Sequence, residues 1–179
     1  MTLSERRTLA YKEGRWIMSD DHIATYLNDH LAGSVVAVEL LEHLEEAHAD
    51  NALGRFVAEL RADIEADRQE LETLMDRLKV DRSLTRRATA WLSEKLAEIK
   101  LRVDDPSGGA LRLLEALEAV EVGIEGKRAL WAALAAAAED APDLRLLDYE
   151  RLKQRAVEQH QRTEEVRLIA AKKALGAAR

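Results

Sequence analysis

Apolar residues recur every three or four positions along four long stretches of this chain, residues 20–48, 51–79, 109–139 and 143–175. That spacing places one apolar stripe along each helix and leaves polar residues on the opposite side. The four stripes, in chain order, consist of Ala24, Leu27, Leu31, Ser34 or Val35, Val38 and Leu41; of Phe56, Leu60, Ile64, Leu71, Leu74 and Leu78; of Leu113, Leu114, Leu117, Val120, Ile124, Trp131 and Ala135; and of Leu146, Tyr149, Ala156, Val157, Leu168, Ala171 and Leu175. We therefore predict four long helices that bury these stripes against one another.

Short turns join the predicted helices in pairs, the first at Asp50-Asn51 and the second at residues 141–143. Such short connections favour antiparallel neighbours, so each pair is expected to form a helical hairpin. Between the hairpins, residues 85–102 predict a shorter helix that would span ~25 Å, nearly the height of a bundle. A Pro- and Gly-containing break at residues 104–109 ends it. The predicted fold is all-α, an antiparallel four-helix bundle with a helical crossover between the two hairpins.

We expect one helical-bundle domain over residues 19–176, preceded by residues 1–18 as a mobile N-terminal segment without a clear helical period. Only two prolines and eight glycines occur in the chain, which agrees with long helices. No apolar run approaches the ~18 to 20 residues of a bilayer span, and no stretch has the form of a secretory signal. The absence of cysteine excludes disulfides and thiolate metal ligands. We expect a cytoplasmic protein without a membrane partner.

The net charge of −7 is distributed unevenly along the chain. Residues 17–54 contain eight acids and no Lys or Arg, whereas residues 77–102 and 151–179 each contain eight bases and three acids. A basic surface can bind nucleic acid, which makes DNA a candidate partner of residues 77–102. Because no set of stacking aromatic residues accompanies these bases, we favour a different interpretation. In it, the basic segments face acidic ones within the fold or across a homodimer.

Polar residues occupy positions on or beside the apolar stripes of the predicted helices. Residues 26–42 end in Glu42, Glu121 lies in line with the third stripe, and residues 64–67 and 157–160 read Ile-x-x-Asp and Val-x-x-His. This pattern resembles the ferritin-like four-helix bundle superfamily, in which two helices each supply a Glu and the other two each supply a Glu-x-x-His motif to a di-metal site. Both paired motifs are incomplete here, since an aliphatic residue replaces each Glu and an Asp replaces one His.

Three interpretations of these polar residues remain open. The resemblance implies an iron or manganese site with six candidate ligands, namely Glu42, Asp63, Asp67, Glu121, His160 and Glu164. The favoured interpretation starts from Arg128 and Arg167, which follow Glu121 and His160 by seven residues each. Because buried charges must pair or cost several kcal/mol each, these groups would form an internal salt-bridge ladder with no resident cofactor. In the third interpretation the charges lie at helix edges and face solvent.

The corresponding functional hypotheses differ in class. We expect a non-enzymatic, ferritin-like bundle that has lost its di-metal site and acts as an interaction or stress-associated protein, as a homodimer. The first alternative is an iron or manganese carboxylate protein with atypical ligands. The second is a ferritin-like protein that binds DNA.

Overall fold

The computed structural model describes residues 20–82 and 109–176, and all regular structure in these two ranges is helical. Four α-helices are present there, α1 (Asp20–Ala47), α2 (Ala52–Arg77), α3 (Gly109–Ala137) and α4 (Tyr149–Leu175), with a 3₁₀ turn at Pro142–Leu144. The first three predicted helices are confirmed to within a few residues at each end. The predicted mobile segment at 1–18 and the predicted crossover helix at 85–102 lie outside the described residues.

The prediction that the last helix begins at residue 143 is wrong, because α4 begins six residues later at Tyr149. Pro142 opens the 3₁₀ turn instead, and Leu144 at its end is fully buried. The Tyr149 hydroxyl donates to the Leu144 carbonyl at 2.6 Å, which ties the turn to the helix start. Asp148 then caps α4 by accepting from the backbone N–H of Arg151 at 3.0 Å.

Each of the two helical pairs packs along its length, whereas contact between the pairs is sparser. In the first pair, the Asn28 side chain donates to the Asp81 carbonyl at 2.9 Å, and the Arg61 guanidinium lies 2.8 Å from Glu45. The start of α1 therefore lies beside the end of α2. In the second pair, the Trp131 ring on α3 lies 6.5 Å from that of Tyr149 on α4. The end of α3 thus meets the start of α4.

Two large apolar clusters form the core, one towards each end of the helices. The first surrounds Trp131 and comprises Leu27, Leu31, Leu71, Leu74, Met75, Leu130, Trp131, Leu134, Ala138, Leu144, Tyr149 and Leu152. The second comprises Val38, Leu40, Leu41, Leu44, Val57, Leu60, Ile64, Ala116, Val120, Ile124 and Ala156. Most predicted stripe residues are buried or half-buried. The exceptions are on the last stripe, where Leu146, Leu168 and Leu175 are 37%, 46% and 70% exposed.

Candidate functional site

A charged layer lies between the two apolar clusters, centred on Asp67 of α2. Asp67 falls in sequence between Ile64 of one cluster and Leu71 of the other, and it is 2% exposed. Helical spacing explains the burial, because a residue three positions after Ile64 and four before Leu71 lies on the same stripe. A carboxylate at such a position requires charged or hydrogen-bonding partners.

Those partners come from α3 and α4. The Lys127 ammonium donates to Asp67 Oδ2 at 2.5 Å and also to Gln159 Oε1. Gln159 is itself buried, and its amide donates to Asp67 Oδ2 at 2.9 Å. The Arg155 guanidinium lies 2.9 Å from Asp67 Oδ1. One buried carboxylate therefore faces two cations, and the layer joins three helices through side chains.

Burial dominates the electrostatics of Lys127, whose side chain is 14% exposed. Loss of hydration lowers the pKa of the ammonium, while the Asp67 carboxylate opposes that change. An ammonium donates three hydrogen bonds, and Asp67 and Gln159 accept two of them. Lys127 therefore retains the capacity to donate one further hydrogen bond.

A second group of charges joins α3 to α4 through Arg167. Its guanidinium lies 3.0 Å from Glu121 Oε2 and 2.6 Å from Glu164 Oε2. Burial and the adjacent Glu164 carboxylate raise the pKa of Glu121. Hydrogen bonding to Arg167, by contrast, lowers the pKa of Glu164. Glu118 lies 3.5 Å from the same guanidinium, so three carboxylates share it. Glu121 and Glu164 differ in proton affinity because desolvation is the main influence on Glu121 alone.

Of the other candidate ligands, His160 lies near enough to Glu121 and Glu164 for its charge to oppose the protonation of both. Asp63 pairs with Arg162 of α4, and its backbone carbonyl accepts from Arg155 at 3.2 Å. His160 is half-buried. Glu42 is exposed, because it follows the buried Leu41 by one residue and is rotated by ~100° from the core-facing stripe. Across residues 20–82 and 109–176, no group of three or more His, Cys, Asp or Glu side chains is arranged to hold a metal ion.

The structure contains interior ion pairs, with one of the two predicted cations. Arg167 does take part, but it pairs with Glu121 of the neighbouring helix, whereas Arg128, which follows Glu121 by seven residues, does not enter the interior. Its side chain is 42% exposed and binds Glu125 at 2.6 Å on the same helix. Sequence reasoning chose Arg128 and missed its neighbour Lys127. Helical spacing fits both residues, because Lys127 precedes Trp131 by four positions and Arg128 follows Ile124 by four.

Five basic residues of α4 pair with acids within the fold, in agreement with the favoured interpretation of their charge; they are Arg151, Lys153, Arg155, Arg162 and Arg167. Arg151, for example, lies 2.6 Å from Glu70 of α2. Of the other basic segment, residues 77–102, only the first few residues are described. Within that part Arg82 pairs with Asp76 at 2.5 Å and with Glu72 at 3.7 Å.

Beside the charged layer lies a cavity of about 180 Å³ between α1, α2 and α3. Its wall is mainly apolar, with Ile64, Leu71 and Ile124 among its members. Glycines contribute to the walls formed by α1 and α3, and Lys127 and Trp131 also line the space. The cavity therefore combines an apolar interior with an ammonium group.

No family model matches this chain, and neither a curated protein nor a solved structure gives a match. In the described part of the chain, none of the helices combines the length and apolar character that a membrane span requires. Any function must therefore be inferred from the geometry of the charged layer and of the cavity.

Proposed function

We propose that this chain is a ferritin-like bundle in which ion pairs take the place of a di-metal centre, and that it acts as a non-enzymatic interaction protein. The single observation that supports this most directly is the position of the Lys127 ammonium against the buried Asp67. A carboxylate already compensated by an ammonium and a guanidinium attracts a divalent cation weakly, because the cation must displace or approach two positive charges.

The directions of the helices support the ferritin-like part of the proposal. Along α2 and α4 the contacts run in opposite order, since Asp63 meets Arg162 whereas Glu70 meets Arg151. The helices within each pair also run in opposite directions. It follows that α2 and α3 run in the same direction, so the chain between them has to return along the bundle. A crossover helix over residues 85–102 has the length for that return.

Metal analysis tests the loss of the di-metal site. Purified protein, incubated with Fe(II) or Mn(II) and then desalted, is expected to retain far less than one ion per chain. The double variant Lys127→Met, Arg167→Met removes two interior cations and is expected to retain more metal than the wild type. Stoichiometric metal in the wild type, lost in Glu121→Ala or His160→Ala, would show instead that the protein is a metal carboxylate protein.

We further propose that the interaction partner is a second copy of this chain. Exposed apolar side chains on α4 support a homodimer, because Leu168 and Ile169 are 46% and 55% exposed and Leu175 is 70% exposed. Burying such side chains contributes roughly 25 cal/mol for each Å² removed from water. The exposed apolar surface near the end of α4 therefore favours association of two chains.

A further inference from the structure

The cavity beside the charged layer contains space that larger side chains on the surrounding helices could have filled. Gly33 on α1 and Gly123 and Gly126 on α3 line it, and a Cβ added at any of the three would meet no atom within 4 Å. Glycine inside a helix costs about 0.5–1 kcal/mol relative to alanine. These glycines therefore do not serve close helix packing, and their common effect is to keep the cavity open.

The volume and the apolar lining of the cavity suit a small apolar ligand. Its volume is about 180 Å³, and an apolar cavity of roughly 150 Å³ is enough to take benzene. Gly33 and Gly123 are both exposed, so the space reaches the surface and has an entrance. A single ring, or an alkyl chain of similar volume, fits these dimensions.

Several polar groups of the cavity wall are hydrogen-bond donors, so they favour a ligand that carries a hydrogen-bond acceptor. Trp131 is 1% exposed, and its indole N–H is buried with no hydrogen-bond acceptor among the described residues. The Nε–H of Arg68, which also lines the cavity, is likewise buried without a hydrogen bond, and Glu72 Oε1 lies 3.6 Å from it. Lys127 adds its remaining donor. Buried donors without acceptors are costly, and an acceptor on a ligand would relieve that cost.

The charge balance favours an anionic acceptor over a neutral one. Asp67 also lines the cavity, but its carboxylate is shared between Lys127 in the wall and Arg155 outside it, so Asp67 compensates the Lys127 charge only in part. Arg68 lies 3.6 Å from Glu72, so that pair is balanced. Asp29 is the other acid of the wall, and because it is exposed, solvent screens its charge.

From the cavity, its glycines and its unpaired donors we propose a binding site for a small monocarboxylate with an apolar body of about one ring. The carboxylate lies at Lys127, and the apolar part fills the space beside Gly33, Gly123 and Gly126. This site goes beyond the proposed interaction function, since it requires neither a metal ion nor a partner chain.

The test is a calorimetric titration of the full chain with benzoate, and with benzamide as its neutral isostere. Benzoate is expected to bind saturably at one site per chain and more tightly than benzamide. Gly123→Leu fills the cavity and is expected to weaken benzoate binding about tenfold or more. Ala133→Leu, on an exposed position of the same helix, is the matched control and is expected to leave binding unchanged.

A second variant distinguishes the contribution of the Lys127 charge to binding from that of the cavity volume. Lys127→Met is expected to weaken benzoate binding and to leave benzamide binding unchanged. Because replacing a helical glycine favours the helix, Gly123→Leu is expected to keep or raise the thermal midpoint, so lost binding cannot come from unfolding. The proposal is overturned if benzoate at millimolar concentration does not bind, if Gly123→Leu binds as the wild type does, or if benzamide binds as tightly as benzoate.

Discussion

At the residue scale, the buried ion pair of Lys127 and Asp67 is the most consequential contact in the described structure. Its two members are only 14% and 1% exposed, so neither charge is well hydrated. Gln159 donates to the same Asp67 oxygen as Lys127, and the Arg155 guanidinium lies 2.9 Å from the other oxygen. Removing one charge of a buried ion pair strongly destabilises the folded protein, whereas removing both charges together destabilises it much less.

We expect Lys127→Met to lower the free energy of unfolding by about 3 kcal/mol, at the low end for a broken buried pair because Arg155 still faces Asp67. The double variant Lys127→Met, Asp67→Leu is expected to recover much of that loss, as measured by urea unfolding. Arg128→Met, which removes the exposed neighbour, is the matched control and should leave stability unchanged. Equal stabilities for Lys127→Met and Arg128→Met would contradict the buried pair.

A pH dependence is expected from His30, which lines the cavity and packs edge-on against Tyr26 with ring centroids 4.7 Å apart. Burial lowers the pKa of His30 below 6.5, and the nearby Asp29 opposes this only in part. The unfolded chain then binds a proton before the folded chain does, so this contribution to stability is present above pH 6.5 and is lost as the pH falls towards the folded-state pKa.

The unfolding free energy should therefore decrease from pH 7 to pH 5, and His30→Gln should reduce that decrease. Chemical unfolding at a series of pH values measures both slopes. His22→Gln, at an exposed position on the same helix, serves as the control. If the wild type and His30→Gln have the same slope, His30 does not resist protonation in the folded state.

At the scale of the helices, glycines have opposite roles in α2 and α3. A Cβ on Gly54, in the first turn of α2, would lie 2.1 Å from the His48 carbonyl oxygen, whereas one on Gly126 in α3 would meet nothing. The turn between α1 and α2 thus requires close approach of two backbone segments. In α3 the glycine has no such close contact, so it weakens the helix without serving a tight turn.

Alanine substitutions at these two glycines should consequently change stability in opposite directions. Gly54→Ala is expected to lower the free energy of unfolding by about 1–3 kcal/mol, because the turn backbone has to move. Gly126→Ala is expected to raise it by about 0.5–1 kcal/mol through helix propensity. Thermal and urea unfolding of both variants provide the measurement, and the same sign for both would contradict this assignment.

At the scale of the whole molecule, the proposed homodimer follows from the apolar end of α4. Light scattering coupled to size-exclusion chromatography is expected to give twice the chain mass of 20.1 kDa at micromolar concentration. Ile169→Glu places a charge on the apolar surface and is expected to give the monomer mass. Val122→Glu, at another exposed apolar position but on α3, is the matched control. A monomeric wild type would rule the homodimer out.

The amino-acid sequence by itself determined the helices, because their periodicity is a local property of the chain. Burial of Leu27, Leu60 and Leu117 follows directly from three- and four-residue spacing. Periodicity did not predict the start of α4. That start at Tyr149 is set by the hydrogen bond from Tyr149 to the Leu144 carbonyl and by the Asp148 cap. Leu168 and Leu175 fit the period yet remain exposed in the described structure, because no described element covers the end of that stripe.

Only the tertiary structure decided which charges meet. Asp67 and Lys127 are 60 residues apart, and Asp67 and Gln159 are 92 apart, so no local pattern specifies their pairing. Periodicity also cannot distinguish Lys127 from Arg128 as the interior cation, because a rotation of one residue exchanges their environments. The cavity beside Gly123 likewise depends on how far apart α1 and α3 lie, a distance that the whole packing of the bundle sets.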